Sequence, residues 1–181
     1  MVRKTLKFMV ITLLAYLLQA TVAQRIAIGG VAPNLAMAII SVVSVALGRK
    51  YTFVMSLTVG YLLEIMLPAI QYFSMIGYPV SCFLAGLAFS DKTERKLEEL
   101  RTLGKTATQL NPHVRTVLCT LLSVSLFEFV HLFYTYLTGV ALSSLPYGRA
   151  ITAIVYSCVL TAALQFPLRW WLGVYKLPKA R

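Results

Sequence analysis

The stretch that decides the fold is YTFVMSLTVGYLLEIMLPAIQYFSMIGYPVSCFLAGLAFS, residues 51–90. It contains no Lys, Arg or Asp, and Glu64 is its only charged side chain. As a single helix it would be about 60 Å long, twice the ~30 Å thickness of the hydrocarbon core of a bilayer. We therefore expect two apolar helices that fold back on each other near residues 68–74.

The composition of the whole chain also indicates an integral membrane protein. Of its 181 residues, 59% are hydrophobic and only 13% are charged, and the mean hydropathy is +0.76. A soluble domain is about half apolar and about a quarter charged. The net charge of +11 does not indicate a nucleic-acid partner, because the Lys and Arg residues cluster beside apolar runs, as topology signals do. The lipid bilayer is the expected environment.

Six apolar segments are long enough to form helices. Only helices or closed barrels satisfy backbone groups within lipid, so we expect an all-α bundle forming a single domain over residues 1–181. The expected spans cover residues 8–23, 33–48, 52–68, 73–89, 114–139 and 150–168, and the sizeable loop is 90–113.

The distribution of Lys and Arg predicts the orientation of these spans. With both termini in the cytoplasm, 15 of the 17 Lys and Arg residues are inside, and only Arg25 and Arg149 are outside. Tyr78 is expected at the outer interface, as are Tyr72 and Tyr147. In an alternative interpretation the first span is a secretory signal cleaved after Ala23, which leaves the other five spans unchanged.

The loop 90–113 has the pattern of a short amphipathic helix on the inner surface. Asp91 and Glu94 have capping-box spacing. Three leucines then recur at three-residue intervals: Leu97, Leu100 and Leu103. The segment is either a solvated connector or a docking surface for a partner. After it, Asn111-Pro112 is expected to cap the fifth helix.

Four polar residues within the spans need an explanation: Gln19, Glu64, Glu128 and His131. Counted from the nearest cytoplasmic cation, the first three lie at a similar depth of roughly 18–21 Å. His131 follows Glu128 by one helical turn on the same face. Such groups usually face the bundle interior. A structural hydrogen-bonding layer, a contact for a partner's transmembrane helix and an ion pathway all fit this pattern.

Metal binding and catalysis have weaker support in the sequence. Glu128-x-x-His131 has the spacing of di-iron bundles, but those need two such motifs and two further glutamates. Three cysteines fall inside apolar runs, which argues against disulfides and against zinc: Cys82, Cys119 and Cys158. No phosphate-binding loop or nucleophile pair is recognisable. The sequence therefore predicts a protein that is not an enzyme and has no cofactor or metal.

Five short motifs resemble the MreD family of rod-shape-determining membrane proteins. They occur in the family's order along nearly the whole chain: LLQAT at 17–21, GGVAPNLAM at 29–37, GYLLE at 60–64, LFEFVHLF at 126–133 and FPLRWWL at 166–172. The second resembles the family's Pro-Asp-Leu entry, beginning at Pro33, with Asn34 in place of the usual Asp. The third carries Glu64 where the family has Asp.

The resemblance implies a non-enzymatic scaffold in the bacterial cytoplasmic membrane. Its fold would be similar to the substrate-binding S-component of energy-coupling-factor transporters. Its partners would be an MreC-like bitopic protein and, through it, RodA, a class B penicillin-binding protein and MreB filaments. It would help to confine peptidoglycan synthesis to the lateral wall. Pro33, Asn34, Glu64 and Glu128 are the residues where partner contacts are expected.

The alternative function is an S-component-like subunit that captures a vitamin-like solute. Such subunits resemble one another in an Ala-x-x-x-Ala pair within the first span. Here Ala15 and Ala20 have the wrong spacing, and the correctly spaced pairs Ala23/Ala27 and Ala32/Ala36 lie near the expected outer boundary, far from a cytoplasmic coupling module. The sequence thus favours the scaffold.

Overall fold

The computed structural model describes residues 2–66, 72–89, 110–139 and 144–173, and the element bounds below refer to these ranges. They form six helices and no strand, so the all-α fold class is confirmed for this part of the chain. Each of the six expected apolar segments overlaps one helix. The helices are α1 Val2–Leu17, α2 Leu35–Leu47, α3 Arg49–Met66, α4 Phe73–Phe89, α5 Pro112–Leu137 and α6 Ser144–Leu172.

Among the residues that the structure describes, three helical segments are long and apolar enough to cross a membrane. They are Thr5–Arg25, Pro112–Leu137 and Ser144–Leu172, with 21, 26 and 29 residues. The first comprises most of α1, the π-helical turn Leu18–Val22 and the last short turn Ala23–Arg25. Helices α2 and α4 are apolar but shorter, and α3 begins with Arg49-Lys50 and carries Glu64 near its end.

Helix α2 is the centre of the bundle. Every residue from 35 to 45 is buried, and the helix contacts α1, α3, α4, α5 and α6. A helix that is surrounded on all sides has few polar side chains, and LAMAIISVVSVAL has only the buried Ser41 and Ser44 and no charged residue. Because α2 has 13 residues, it is only about 20 Å long. Its first turn lies inside the bundle.

Helices α3 and α4 form the fold-back that the apolar stretch predicts. Gly60 lets their backbones approach closely, because a Cβ there would lie 2.7 Å from the carbonyl oxygen of Ser74. Gly86 allows a similar approach to α2, where a Cβ would lie 2.9 Å from Ser44 Oγ. Helices in lipid gain little from the hydrophobic effect when they associate. They instead gain from close packing, which small residues at the contact permit.

Helix α1 packs on the bundle through its buried face. Ile11 and Ala15 belong to the hydrophobic core, and Lys7 Nζ donates a hydrogen bond of 2.8 Å to the carbonyl oxygen of Trp171 at the end of α6. Ala23, the residue of the alternative cleavage site, is fully buried. Residues around the alternative cleavage site therefore pack against the other helices in this structure.

Two arginines join helix ends where α5 begins. Arg169 Nη2 donates to the carbonyl oxygen of Pro112 and to Thr116 Oγ1, both at 2.6 Å. Arg115 Nε donates to the carbonyl oxygen of Phe89, the last residue of α4, at 3.0 Å. A cation at a helix carboxyl terminus is favourable. Both side chains are buried, so they tie helices together.

The predicted cap of the fifth helix is confirmed. The side chain of Asn111 accepts a hydrogen bond of 3.1 Å from the backbone N–H of His113, and Pro112 is the first helical residue. The amphipathic helix expected around Leu97, Leu100 and Leu103 lies outside the described residues, as does the tip of the fold-back at 67–71.

Candidate functional site

The first turn of α2 is built from polar side chains that the sequence analysis singled out. Because this turn is buried, its N–H groups need partners within the protein. The Ala36 N–H donates to Gln19 Oε1 of the π-helical turn at 3.1 Å, and the Met37 N–H donates to Asn34 Oδ1 at 3.1 Å. Gln19 and Asn34 are therefore brought together as caps of one helix.

Asn34 also connects α2 to α4 and α6. Its Oδ1 accepts a second hydrogen bond from Tyr78 Oη at 3.1 Å, and its backbone N–H donates to Ser157 Oγ at 2.8 Å. Pro33 has no N–H to satisfy, and its carbonyl oxygen accepts from the Leu35 N–H at 3.2 Å. We call this set the Asn34 centre, comprising Gln19, Pro33, Asn34, Tyr78 and Ser157.

Gln19 lies in an irregular turn at the end of α1. Helix α1 widens into the π-helical turn Leu18–Val22 where Gln19 lies. Such a turn changes the direction of the side chains that follow, and it often occurs at functional positions. Here it coincides with the side chain that caps the neighbouring helix.

Glu64 caps a different helix. Its two carboxylate oxygens accept hydrogen bonds from the N–H groups of Tyr72, at 2.7 Å, and Ser74, at 2.9 Å. Tyr72 directly precedes α4 and Ser74 lies in its first turn, where a negative charge also interacts favourably with the helix dipole. Tyr72 has a φ of 61°, a left-handed conformation that the bond to Glu64 helps to hold. The carboxylate in the apolar stretch thus ties the end of α3 to the start of α4.

Glu128 and His131 lie on α5, near the start of α6. Glu128 is half-buried and His131 is exposed, and Arg149 of α6 acts electrostatically on both. Arg149 Nη2 also donates to the carbonyl oxygen of Gly30 at 3.3 Å. The His131 ring lies 5.5 Å from that of Phe73. Within the described ranges, Glu128 has no hydrogen bond.

Phe127 connects this pair to the Asn34 centre. Its ring lies 5.2 Å from that of Tyr78 and 5.1 Å from that of Phe73. Glu128 also interacts electrostatically with Tyr78. The polar groups expected at one depth therefore fall into three places: Gln19 at the start of α2, Glu64 at the start of α4, and Glu128 with His131 beside Arg149.

Several residues of the site were not found from the sequence. Ser157 has no distinguishing signal, because hydroxyl residues recur throughout the spans. Tyr78 was expected at the outer interface, but it is only 4% exposed and donates into the Asn34 centre. The sequence offered one signal of this burial, because Tyr78 lies well inside an apolar span, next to Pro79. Arg149 was interpreted only as a topology signal.

The site has the chemistry of a helix-joining network. Among the described residues, no three or more His, Cys, Asp or Glu side chains gather where they could hold a metal ion. Cys82, Cys119 and Cys158 are free thiols. Comparison of the chain with protein-family models, curated proteins and solved structures gives no match.

Proposed function

We propose that this chain is a non-enzymatic, MreD-like scaffold of the bacterial cytoplasmic membrane. It binds an MreC-like bitopic protein and, through it, RodA, a class B penicillin-binding protein and MreB, and so supports lateral peptidoglycan synthesis and rod shape. The observation that carries the proposal is that polar side chains in the expected spans hydrogen-bond to the ends of neighbouring helices. Gln19, Asn34 and Glu64 accept hydrogen bonds from helix N–H groups, which serves architecture and not reaction chemistry.

The proposal includes six membrane spans with both termini in the cytoplasm. The charge distribution and the three long apolar helices support it. The short length of α2 is compatible with it. Because five helices surround α2, its ends contact protein, and it does not need to match the full hydrocarbon thickness.

One feature of the structure, the packing of Tyr78, favours a scaffold over a solute-binding subunit. Tyr78 fills the space beside the start of α2 and is only 4% exposed. Its hydroxyl donates a hydrogen bond to Asn34. A solute receptor needs polar groups that are aimed into an open cavity. In the Asn34 centre these groups hydrogen-bond to one another.

Co-purification tests the proposed function. The tagged chain is expressed with the MreC-like protein of its own cell and solubilised in mild detergent. A bitopic protein of similar length with an unrelated periplasmic domain serves as the control. We expect stoichiometric recovery of the MreC-like protein and none of the control. Equal recovery of the two, or a vitamin-like solute bound stoichiometrically in native mass spectrometry, would refute the scaffold.

A further inference from the structure

Two serines of the central helix α2 differ from the other buried hydroxyl residues. Ser41 is 1% exposed and Ser44 is fully buried. Neither hydroxyl makes a hydrogen bond to any residue that the structure describes. A buried polar group without a partner is costly, and in a native protein it calls for an explanation such as bound water or a bound ion.

Both serines forgo the bond that a helical hydroxyl can make with its own backbone. Four equally buried side chains of α5 and α6 each donate to the carbonyl oxygen four residues earlier: Thr120, Ser123, Ser157 and Thr161. That bond needs no tertiary partner, so it is open to Ser41 and Ser44 as well. Their hydroxyls point elsewhere.

The two hydroxyls face one junction, where α2, α4 and α5 meet. They are three residues apart, so they lie on one face of α2. The Cys119 thiol of α5 interacts with both of them and with the Ser123 hydroxyl, although the two α2 serines lack the geometry of a hydrogen bond. Ser44 Oγ also lies beside Gly86 of α4, where a Cβ would be 2.9 Å away.

This junction has the chemistry of a site for water. Its side chains are small, and the hydroxyls and the thiol can each donate and accept hydrogen bonds. A buried water molecule needs two to four polar partners, which Ser41, Ser44, Cys119 and Ser123 can supply. None of the four is more than 1% exposed, so lipid does not reach them.

We propose that the junction binds an ordered water molecule, which bridges α2 to α5 through Ser41 and Ser44. The water gives the two hydroxyls the partners that neighbouring side chains do not provide. It also links the centre of the bundle to α5 without a direct hydrogen bond between the helices.

A soft metal ion is the alternative occupant, and the structure disfavours it. The Cys82 and Cys119 thiols interact electrostatically, but no group of three or more His, Cys, Asp or Glu side chains gathers in the described ranges. Arg115 acts electrostatically on Cys119 and would repel a metal cation. Water carries no charge and avoids this repulsion.

Alanine variants test whether the hydroxyls have a partner. Removing a hydroxyl that has none would leave the chain equally stable or more stable. We instead expect Ser41→Ala and Ser44→Ala each to raise the unfolding equilibrium constant about fivefold, the equivalent of one hydrogen bond. Because both serines hold the same water molecule, the double variant should lose little more than either single variant.

Ser56→Ala is the matched control. Ser56 is fully buried on α3, and its hydroxyl already donates to the carbonyl oxygen of Phe53 at 3.0 Å. Its replacement should change the unfolding constant by less than about twofold, because the lost bond is local to its own helix.

Radiolytic footprinting with mass spectrometry identifies the occupant. X-rays convert bound water into hydroxyl radicals, which oxidise the adjacent side chains even where bulk solvent does not reach. We expect oxidation of Cys119 in the wild type, and loss of most of it in the Ser41→Ala/Ser44→Ala double variant. Met37 is also fully buried but lies at the Asn34 centre, and it should stay unoxidised in both.

Three results would overturn the water site. They are alanine variants at least as stable as the wild type, Cys119 oxidised no more than Met37, and stoichiometric copper or zinc in elemental analysis of the purified chain. None of these measurements involves the MreC-like protein, so the water site can fail while the scaffold stands.

Discussion

The Asn34 centre makes a prediction that a double-mutant cycle can test. Asn34 Oδ1 accepts from both the Met37 N–H and the Tyr78 hydroxyl, and both residues of the Asn34–Tyr78 bond are buried. Asn34→Ala removes a helix cap, worth about 1 kcal/mol. It also leaves the Tyr78 hydroxyl buried without its partner, which costs about 1–3 kcal/mol. The expected loss in the free energy of unfolding is therefore about 2–4 kcal/mol.

Tyr78→Phe should cost less. It removes one neutral hydrogen bond, worth about 0.5–1.5 kcal/mol, and Asn34 Oδ1 keeps the bond from Met37. In the double variant no orphan hydroxyl remains. Its loss should fall short of the sum of the two single losses by about 1 kcal/mol or more.

The assay is reversible unfolding in mixed micelles by a denaturing detergent, followed by far-ultraviolet circular dichroism. Tyr147→Phe is the control, because Tyr147 is 47% exposed; combined with Asn34→Ala it should be additive within about 0.5 kcal/mol. If Asn34→Ala and Tyr78→Phe are also additive, or if Asn34→Ala costs no more than Tyr78→Phe, the account of the centre is wrong.

Two other contacts make predictions of the same kind. Glu64→Gln should destabilise the chain by about 1.5–3 kcal/mol, because an amide cannot accept from both N–H groups. Hydrogen exchange at the amides of Tyr72 and Ser74 should speed up, and unchanged exchange would contradict the capping role. Gly60→Ala should cost about 1–3 kcal/mol, since its Cβ meets the backbone of α4. Gly148→Ala, with nothing within 4 Å of the added Cβ, should be neutral or stabilising, and equal effects of the two would refute close packing as the reason.

Much of the architecture was predictable because it depends on features that the sequence displays directly. The stretch 51–90, in which Glu64 is the only charged side chain, would exceed one membrane thickness as a single helix, so a fold-back was required, and α3 and α4 provide it. Asn111-Pro112 specifies a helix start through its own side chain and ring, without help from distant residues. The second expected span, 33–48, contains α2, but its burial on all sides was seen only in the structure.

The arrangement of the polar residues was only half predictable. Counting residues places Gln19, Glu64 and Glu128 at one height, since each residue adds a fixed rise along a helix. Height says nothing about the direction in which a side chain points around the bundle. The structure directs Gln19 to α2, Glu64 to α4 and Glu128 towards Arg149.

By itself, the sequence determined an all-helical fold, with helices apolar enough to cross a membrane, and the pairing of α3 with α4. Only the tertiary structure decided which polar side chain satisfies which helix. The partners of Gln19 and Glu64 are backbone N–H groups, which nearly every residue carries. Such a group needs a side-chain partner only where a helix begins inside the protein, because the first N–H groups have no partner within their own helix. Where α2 begins in space follows from the packing of five surrounding helices, and no local pattern encodes it.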